Sequence, residues 1–178
     1  LGPADVLKAV RSRRGLVGPH LGAMEAWLLA RGLRTLHLRT RQAGLNALHV
    51  AHHLEALRQR GALPQVNRVI HPALPGSTGG AWLLRETRGH GGMMVGVELR
   101  DGPASLAMVR ALEGIRLVPS LGDVCTTVTL PARSSHRGVP REERLRRGIG
   151  DGFVRISVGT EDPEDICADL VKAIRAAG

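Results

Sequence analysis

Between Asp151 and Asp162 the chain reads D-G-F-V-R-I-S-V-G-T-E-D, and its side chains alternate. Val154, Ile156 and Val158 fall on one face, and Phe153, Arg155 and Ser157 on the other. A period of two with one apolar face predicts a half-buried strand. The pattern also sets a guanidinium in the middle of that strand. Arginine presents a planar fork of donors that matches a carboxylate at two points, and burial punishes such a charge if it is left unpaired. Arg155 is therefore either an outward-facing solvated residue or the anchor of an anionic substrate group.

The core that covers the apolar face must be built almost without aromatic bulk. Among 178 residues there are two Trp, one Phe and no Tyr, so Leu, Val, Ile and Ala must fill the volume. That length suits one domain, or one domain with appendages. The formal net charge of +9 comes almost wholly from arginine, since only Lys8 and Lys172 are lysines. The arginines are scattered, and the densest run, Arg133 to Arg147, contains Glu142 and Glu143. Without a reading helix, zinc finger or aromatic platform, this charge predicts a solvated surface and no nucleic-acid partner. Cys125 and Cys167 lack C-x-x-C spacing, which fits reduced thiols and a cytoplasmic location. No apolar run reaches the roughly 18 residues of a membrane span, and no signal peptide is visible. The start at Leu1-Gly2-Pro3, without methionine, raises the expectation of a piece of something longer.

Along the chain, apolar spacing predicts helices over Ala4 to Arg14 (ending at Gly15), Ala23 to Gly32 and Thr35 to Arg60, with Gly15 to Gly22, including Pro19, as a turn. Strands are expected at Val66 to Ile70, Met93 to Leu99 and Ile115 to Val118, with a Pro- and Gly-rich loop at Pro72 to Gly80. Short helices are expected at Ala81 to Arg88, Ala104 to Leu112 and Pro140 to Arg147. The sequence Asp162-Pro163-Glu164-Asp165 caps a terminal helix running to about Ala176. This order predicts an α/β fold: a small mixed, mostly antiparallel sheet covered by helices on one side.

Several side chains invite a chemical reading. His49, His52 and His53 lie on one predicted helix, and an i, i+4 pair can hold zinc. Only Glu55 stands near as a further ligand, and it points elsewhere, so surface histidines and no metal are expected. Gly89, Gly91 and Gly92 precede a strand, which predicts a bulge or tight turn and not a phosphate cradle. Ser134, Ser135 and His136 lack the nucleophile-elbow pattern, and adjacent residues rarely face each other. Nothing near Cys125 signals a lowered thiol pKa. Asp123 and Asp151 are candidates for structural pairs with neighbouring arginines.

Four stretches taken together carry a resemblance. They are G-P-H-L-G-A-M-E-A-W-L-L-A-R-G-L-R-T-L-H-L-R (Gly18 to Arg39), G-H-G-G-M-M-V-G-V-E-L (Gly89 to Leu99), S-L-G-D (Ser120 to Asp123) with L-P-A-R-S-S-H (Leu130 to His136), and G-I-G-D-G-F-V-R-I-S-V-G-T-E-D-P-E-D (Gly148 to Asp165). Their order and spacing resemble the C-terminal half of the Cys/Met-metabolism family of pyridoxal-phosphate enzymes. That family includes cystathionine gamma-synthase, the cystathionine lyases, methionine gamma-lyase and the homoserine-ester sulfhydrylases. The resemblance implies the C-terminal domain of a fold-type I pyridoxal-phosphate enzyme. Residues 1–22 would be a helix and linker from the large domain, and residues 23–178 the substrate-binding small domain.

Arg155 matches the arginine whose family role is to grip the substrate's α-carboxylate, and Ser120 matches a serine beside the same group. A hydroxyl on a tight turn next to a strand-borne guanidinium would make a preorganised clamp. The family's Schiff-base lysine lies in an S-x-T-K block of the large domain, and neither Lys8 nor Lys172 has that setting. The resemblance thus implies no catalytic or cofactor-binding residue in this chain. It implies inactivity without a large domain carrying pyridoxal phosphate, on the same precursor or on a companion chain, and a homo-oligomer of the whole enzyme.

Pro119 stands where relatives that handle cystathionine often have glutamate, which leaves cysteine-like and methionine-like substrates open beside cystathionine. A carbon-sulfur lyase of sulfur amino-acid metabolism is the reading preferred over a gamma-replacement synthase, of the cystathionine gamma-synthase or sulfhydrylase type. A non-catalytic small-domain module serving assembly is the rival from another class.

Overall fold

The structure, a computed structural model, describes residues 2–18 and 20–178. Two compact units divide the chain, residues 1–37 and 38–178. The first holds α1 (Ala4–Val17) and α2 (Ala23–Leu33), neither of which buries a residue. The expected end of α1 at Gly15 is corrected. The helix passes through Gly15 and stops where Gly18 takes a φ of 79° and donates its N–H to the Arg14 carbonyl. Glycine inside a helix costs about 1 kcal/mol without breaking it, whereas a left-handed residue ends it. Pro19, part of the expected turn, lies outside the described residues.

The second unit takes in α3 (Leu36–Gln59) from Leu38 onward, which leads to a five-stranded sheet made of β1 (Val66–Ile70), β2 (Met94–Leu99), β3 (Arg116–Leu117), β4 (Thr127–Thr129) and β5 (Phe153–Ser157). The strand order is β1-β2-β5-β4-β3, antiparallel throughout except for the parallel β3–β4 pair. Helices α4 (Gly80–Glu86), α5 (Gly102–Ala111), α6 (Arg141–Arg146) and α7 (Pro163–Ala176) complete the unit. The predicted strand at β5 therefore forms, and it occupies the middle of the sheet. Strand β4 was not foreseen: T-V-T is short and offers a single apolar side chain to a pattern search.

Register explains the two faces. Val69, Val97 and Val154 align across three strands, as do Val95, Ile156 and Val128. These valines and isoleucines join Val50 and Leu54 of α3, Met108 of α5, and Leu170 and Ile174 of α7 in one buried cluster. Helix α5 packs on α7 and on strands β2 and β5. Asp101 caps α5, accepting the Ala104 N–H at 2.8 Å, and Asp162 caps α7, accepting the Glu164 N–H at 2.9 Å, each ahead of a proline in the first turn. The expected fold class holds: a mixed, mostly antiparallel sheet with its hydrophobic face under helices. The opposite face carries the row Ile70, Gly96, Arg155 and Thr129.

Candidate functional site

Because β5 is central and alternates, Arg155 stands on the sheet face away from the helical core, between Gly96 on β2 and Thr129 on β4. Its Nη2 donates to the Ser120 carbonyl and to Thr129 Oγ1, each at 3.3 Å. Both partners are neutral, so neither compensates the guanidinium charge. The Nε of Arg155 is buried and has no acceptor among the described residues. An ionic donor left so costs free energy until an acceptor arrives.

Gly96 opens space beside it. A Cβ there would come within 2.8 Å of the Phe153 ring and 3.2 Å of Ile70 Cβ. The result is a cavity of about 490 Å³ bounded by Arg155, Phe153, Ile70, Met93, Met94 and Leu83 among others. Gly91 and Gly92 form one rim, in a turn where Gly89, Gly91 and Gly92 take φ values of 98°, 74° and 92°. That tight turn was expected from sequence.

His71 lines the same cavity and is almost fully buried. Its Nδ1 accepts the Ala73 N–H at 3.2 Å and its Nε2 lies 3.4 Å from the Gly92 carbonyl. This pairing assigns the proton to Nε2. Burial, opposed by the Gly92 hydrogen bond, pushes the imidazole pKa below its ordinary value, and the nearby His52 and His90 add to the lowering.

Ser120 lies close to Arg155, through its backbone carbonyl. Two further contacts hold this turn to the sheet: Gly122 N–H donates to Ser157 Oγ at 3.0 Å, and Thr127 Oγ1 donates to the Ser120 carbonyl at 3.5 Å. Arg155 and Ser157 project from one face of β5, so a single strand edge positions both the guanidinium and the bend.

The segment after β5 is fixed by residues the sequence reading missed. Asn46, buried on α3, donates to the carbonyls of Gly159 at 3.1 Å and Glu161 at 2.7 Å. The Glu161 carboxylate accepts from the Thr126 backbone N–H, and from Thr126 Oγ1 at 2.9 Å. No pattern marks a lone helical Asn as a long-range anchor.

The other candidates fall elsewhere. His49 and His53 stack on α3 with centroids 6.3 Å apart, His52 is exposed, and Glu55 is bound to Arg58 and Gln59. Ser135 Oγ does reach His136 Nδ1, at 2.9 Å, contrary to the expectation that these neighbours would not face each other; the pair is exposed on a surface loop. Asp151 is gripped by Arg141 and Arg144, both at 2.8 Å, and these hydrogen bonds hold its carboxyl below the usual carboxylate range. Asp123 instead caps its own turn, accepting the Val124 N–H at 2.6 Å. Both cysteines are free thiols, Cys125 exposed and Cys167 buried. No described helix is long and apolar enough to cross a membrane.

Lys172 donates to Glu113 at 2.6 Å, and Lys8 belongs to α1 in the other unit. The residues around Arg155 thus suit an incoming carboxylate, and they provide no lysine amine for a Schiff base.

Comparison with known proteins is consistent along nearly the whole chain. The family model for Cys/Met metabolism PLP-dependent enzymes matches residues 3–175. Cystathionine gamma-synthase 1, chloroplastic, of Arabidopsis thaliana is 34% identical over 175 residues, covering 98% of this chain and 30% of the relative. The crystal structure of cystathionine gamma-lyase from yeast superposes with a TM-score of 0.87 at 30% identity, covering 98% of this chain and 44% of that one. A Campylobacter jejuni structure containing N'-pyridoxyl-lysine-5'-monophosphate gives a TM-score of 0.79 at 27% identity over 89% of this chain and 37% of its own. The chain spans less than half the length of each of these relatives.

Proposed function

This chain belongs to the Cys/Met-metabolism PLP-dependent enzyme family, and on that premise we propose that it is the substrate-carboxylate-binding part of a carbon-sulfur lyase for a sulfur amino acid. The observation that carries the reading is the buried, unpartnered Nε of Arg155 beside a largely apolar cavity. A carboxylate can take a guanidinium edge at two points, while Met93, Met94 and Ile70 suit a thioether or thiol side chain. Ser120 orients the guanidinium of that site by accepting a hydrogen bond at its carbonyl.

Pyridoxal phosphate, when bound by a lysine outside this chain, supplies the electron sink for breaking bonds at the substrate's α-carbon. This chain orients the substrate for that step by fixing one end of it. Arg155 holds the carboxylate, and Thr129 and the Ser120 carbonyl hold Arg155. Orientation of this kind contributes through preorganisation, since the strand and its hydrogen bonds are in place before the substrate arrives.

The remaining machinery would sit on a large domain, with residues 1–22 as its helix and linker and residues 23–178 as the small domain. The exposed apolar side chains of α1 and α2, among them Leu16, Val17, Trp27 and Leu28, support docking on another body or on a second subunit.

The test is to assemble the chain with a pyridoxal-phosphate-bearing large domain and offer cysteine, cystathionine and methionine separately. Release of ammonia and a 2-oxo acid supports the lyase. Product formed only from a homoserine ester and a thiol would make it a gamma-replacement synthase, and no turnover in a loaded assembly would favour an assembly module.

A further inference from the structure

Helices α3 and α7 bring together side chains that are far apart in sequence. His49 and His53 lie one helical turn apart on α3, with rings nearly parallel at an interplanar angle of 14°. Cys167 comes from α7, and one ring nitrogen of each histidine and the Cys167 sulfur all lie within 4.8 Å of one another. Glu164, a turn before Cys167, places Oε1 3.1 Å from His49 Nε2.

We propose that His49, His53 and Cys167 form a transition-metal site of the zinc class, with Glu164 as fourth ligand. Two imidazoles and a thiolate are a donor set that suits zinc. Bonds of about 2.0–2.3 Å to a tetrahedral ion separate its donors by about 3.3–3.8 Å. The His49–Glu164 distance already lies near that spacing, and the widest pair among His49, His53 and Cys167 must close by about 1–1.5 Å. Side-chain rotation supplies such a closure, because His49 and Glu164 are substantially exposed.

A groove lined by His53, Leu57, Glu164, Cys167, Lys172 and Arg175 gives an ion access from solvent. Lys172, one of its two cations, is engaged by Glu113. The sulfur lies on the inner side of the cluster and the carboxylate on the outer, so an ion would sit at the helix boundary. It would staple α7 to the helix whose Asn46 holds the Gly159–Glu161 segment behind β5. This role is separate from the carboxylate clamp and does not depend on it.

Cobalt(II) provides the probe, since thiolate ligation gives an ultraviolet charge-transfer band that histidine alone does not. The full chain, stripped with chelator and titrated with Co²⁺, should develop this band at one ion per chain and lose it to added Zn²⁺. Cys167→Ser should abolish the band while Cys125→Ser keeps it. His49→Gln and His53→Gln, conservative changes at sites that are not fully buried, should each weaken binding at least about 10-fold, while the neighbouring His52→Gln should not. Absence of the band from the wild-type chain, its survival in Cys167→Ser, or its loss in Cys125→Ser would overturn the assignment.

Discussion

Ser157 Oγ accepts the backbone N–H of Gly122 at 3.0 Å, so the bend that carries Ser120 is tied to the strand that carries Arg155. Ser157→Ala removes that acceptor and leaves Gly122 N–H without its partner. A loss of about 1 kcal/mol of stability is expected, with a raised KM for the amino-acid substrate in the assembled enzyme. Urea unfolding reads the first effect and steady-state kinetics the second.

Asn46 makes a second long-range tie. Its amide serves two carbonyls at once, and Asn46→Ala strands both, the Gly159 carbonyl in a buried setting. Destabilisation of about 1–3 kcal/mol follows, measurable as a lower urea midpoint at unchanged slope. Asn46→Asp should not rescue it, because a carboxylate cannot donate.

Gly159 is required by close approach. A Cβ there would lie 2.2 Å from the Val124 carbonyl oxygen and 2.7 Å from the Cys125 carbonyl carbon, both backbone atoms. The segment cannot give way as a flexible side chain would. Gly159→Ala should cost about 3 kcal/mol or more, which thermal unfolding would show as a large drop in Tm. Gly61→Ala is a useful contrast, since only its φ of 74° opposes the change and no neighbour lies within 4 Å.

His71 predicts a pH dependence. Its folded-state pKa is lowered by burial, so the unfolded chain binds the proton more readily. The stabilisation is fully present above the unfolded value of about 6.5, and it is lost as pH falls through the lowered folded value. NMR titration of the ring should give a midpoint below 6.5, and thermal unfolding should show stability falling on acidification in that window. His71→Gln should flatten that decline in part; His90, also lowered by burial, contributes as well.

The sequence exposed the parts of this structure whose signals are local. Alternation in Phe153 to Ser157 placed Arg155 on the face opposite Val154 and Ile156, and the Asp-Pro start located α7. Gly15 misled because a helix tolerates one glycine, and only the positive φ at Gly18 ends α1. Strand β4 escaped because its order comes from pairing with β5 and β3, not from its own pattern. The contacts of Arg155 were legible only by half. Its neighbourhood to Ser120 was foreseen, but the bond runs to the carbonyl and not the hydroxyl. The meeting of His49 and His53 with Cys167, and the reach of Asn46 to Glu161, depend on how α3 lies beside the β5–α7 connection. A tertiary juxtaposition of that kind leaves no trace in spacing along one chain.

The most direct test of the carboxylate clamp compares binding of cysteine and of cysteamine, which lacks the carboxylate, to the pyridoxal-phosphate-loaded assembly. Spectroscopic titration should show wild type preferring cysteine and Arg155→Ala losing that preference. The loss expected for one partner of a desolvated charge pair is about 2–5 kcal/mol, or roughly 30-fold and upward in affinity. Equal preference for cysteine in the wild-type and Arg155→Ala assemblies would contradict the clamp.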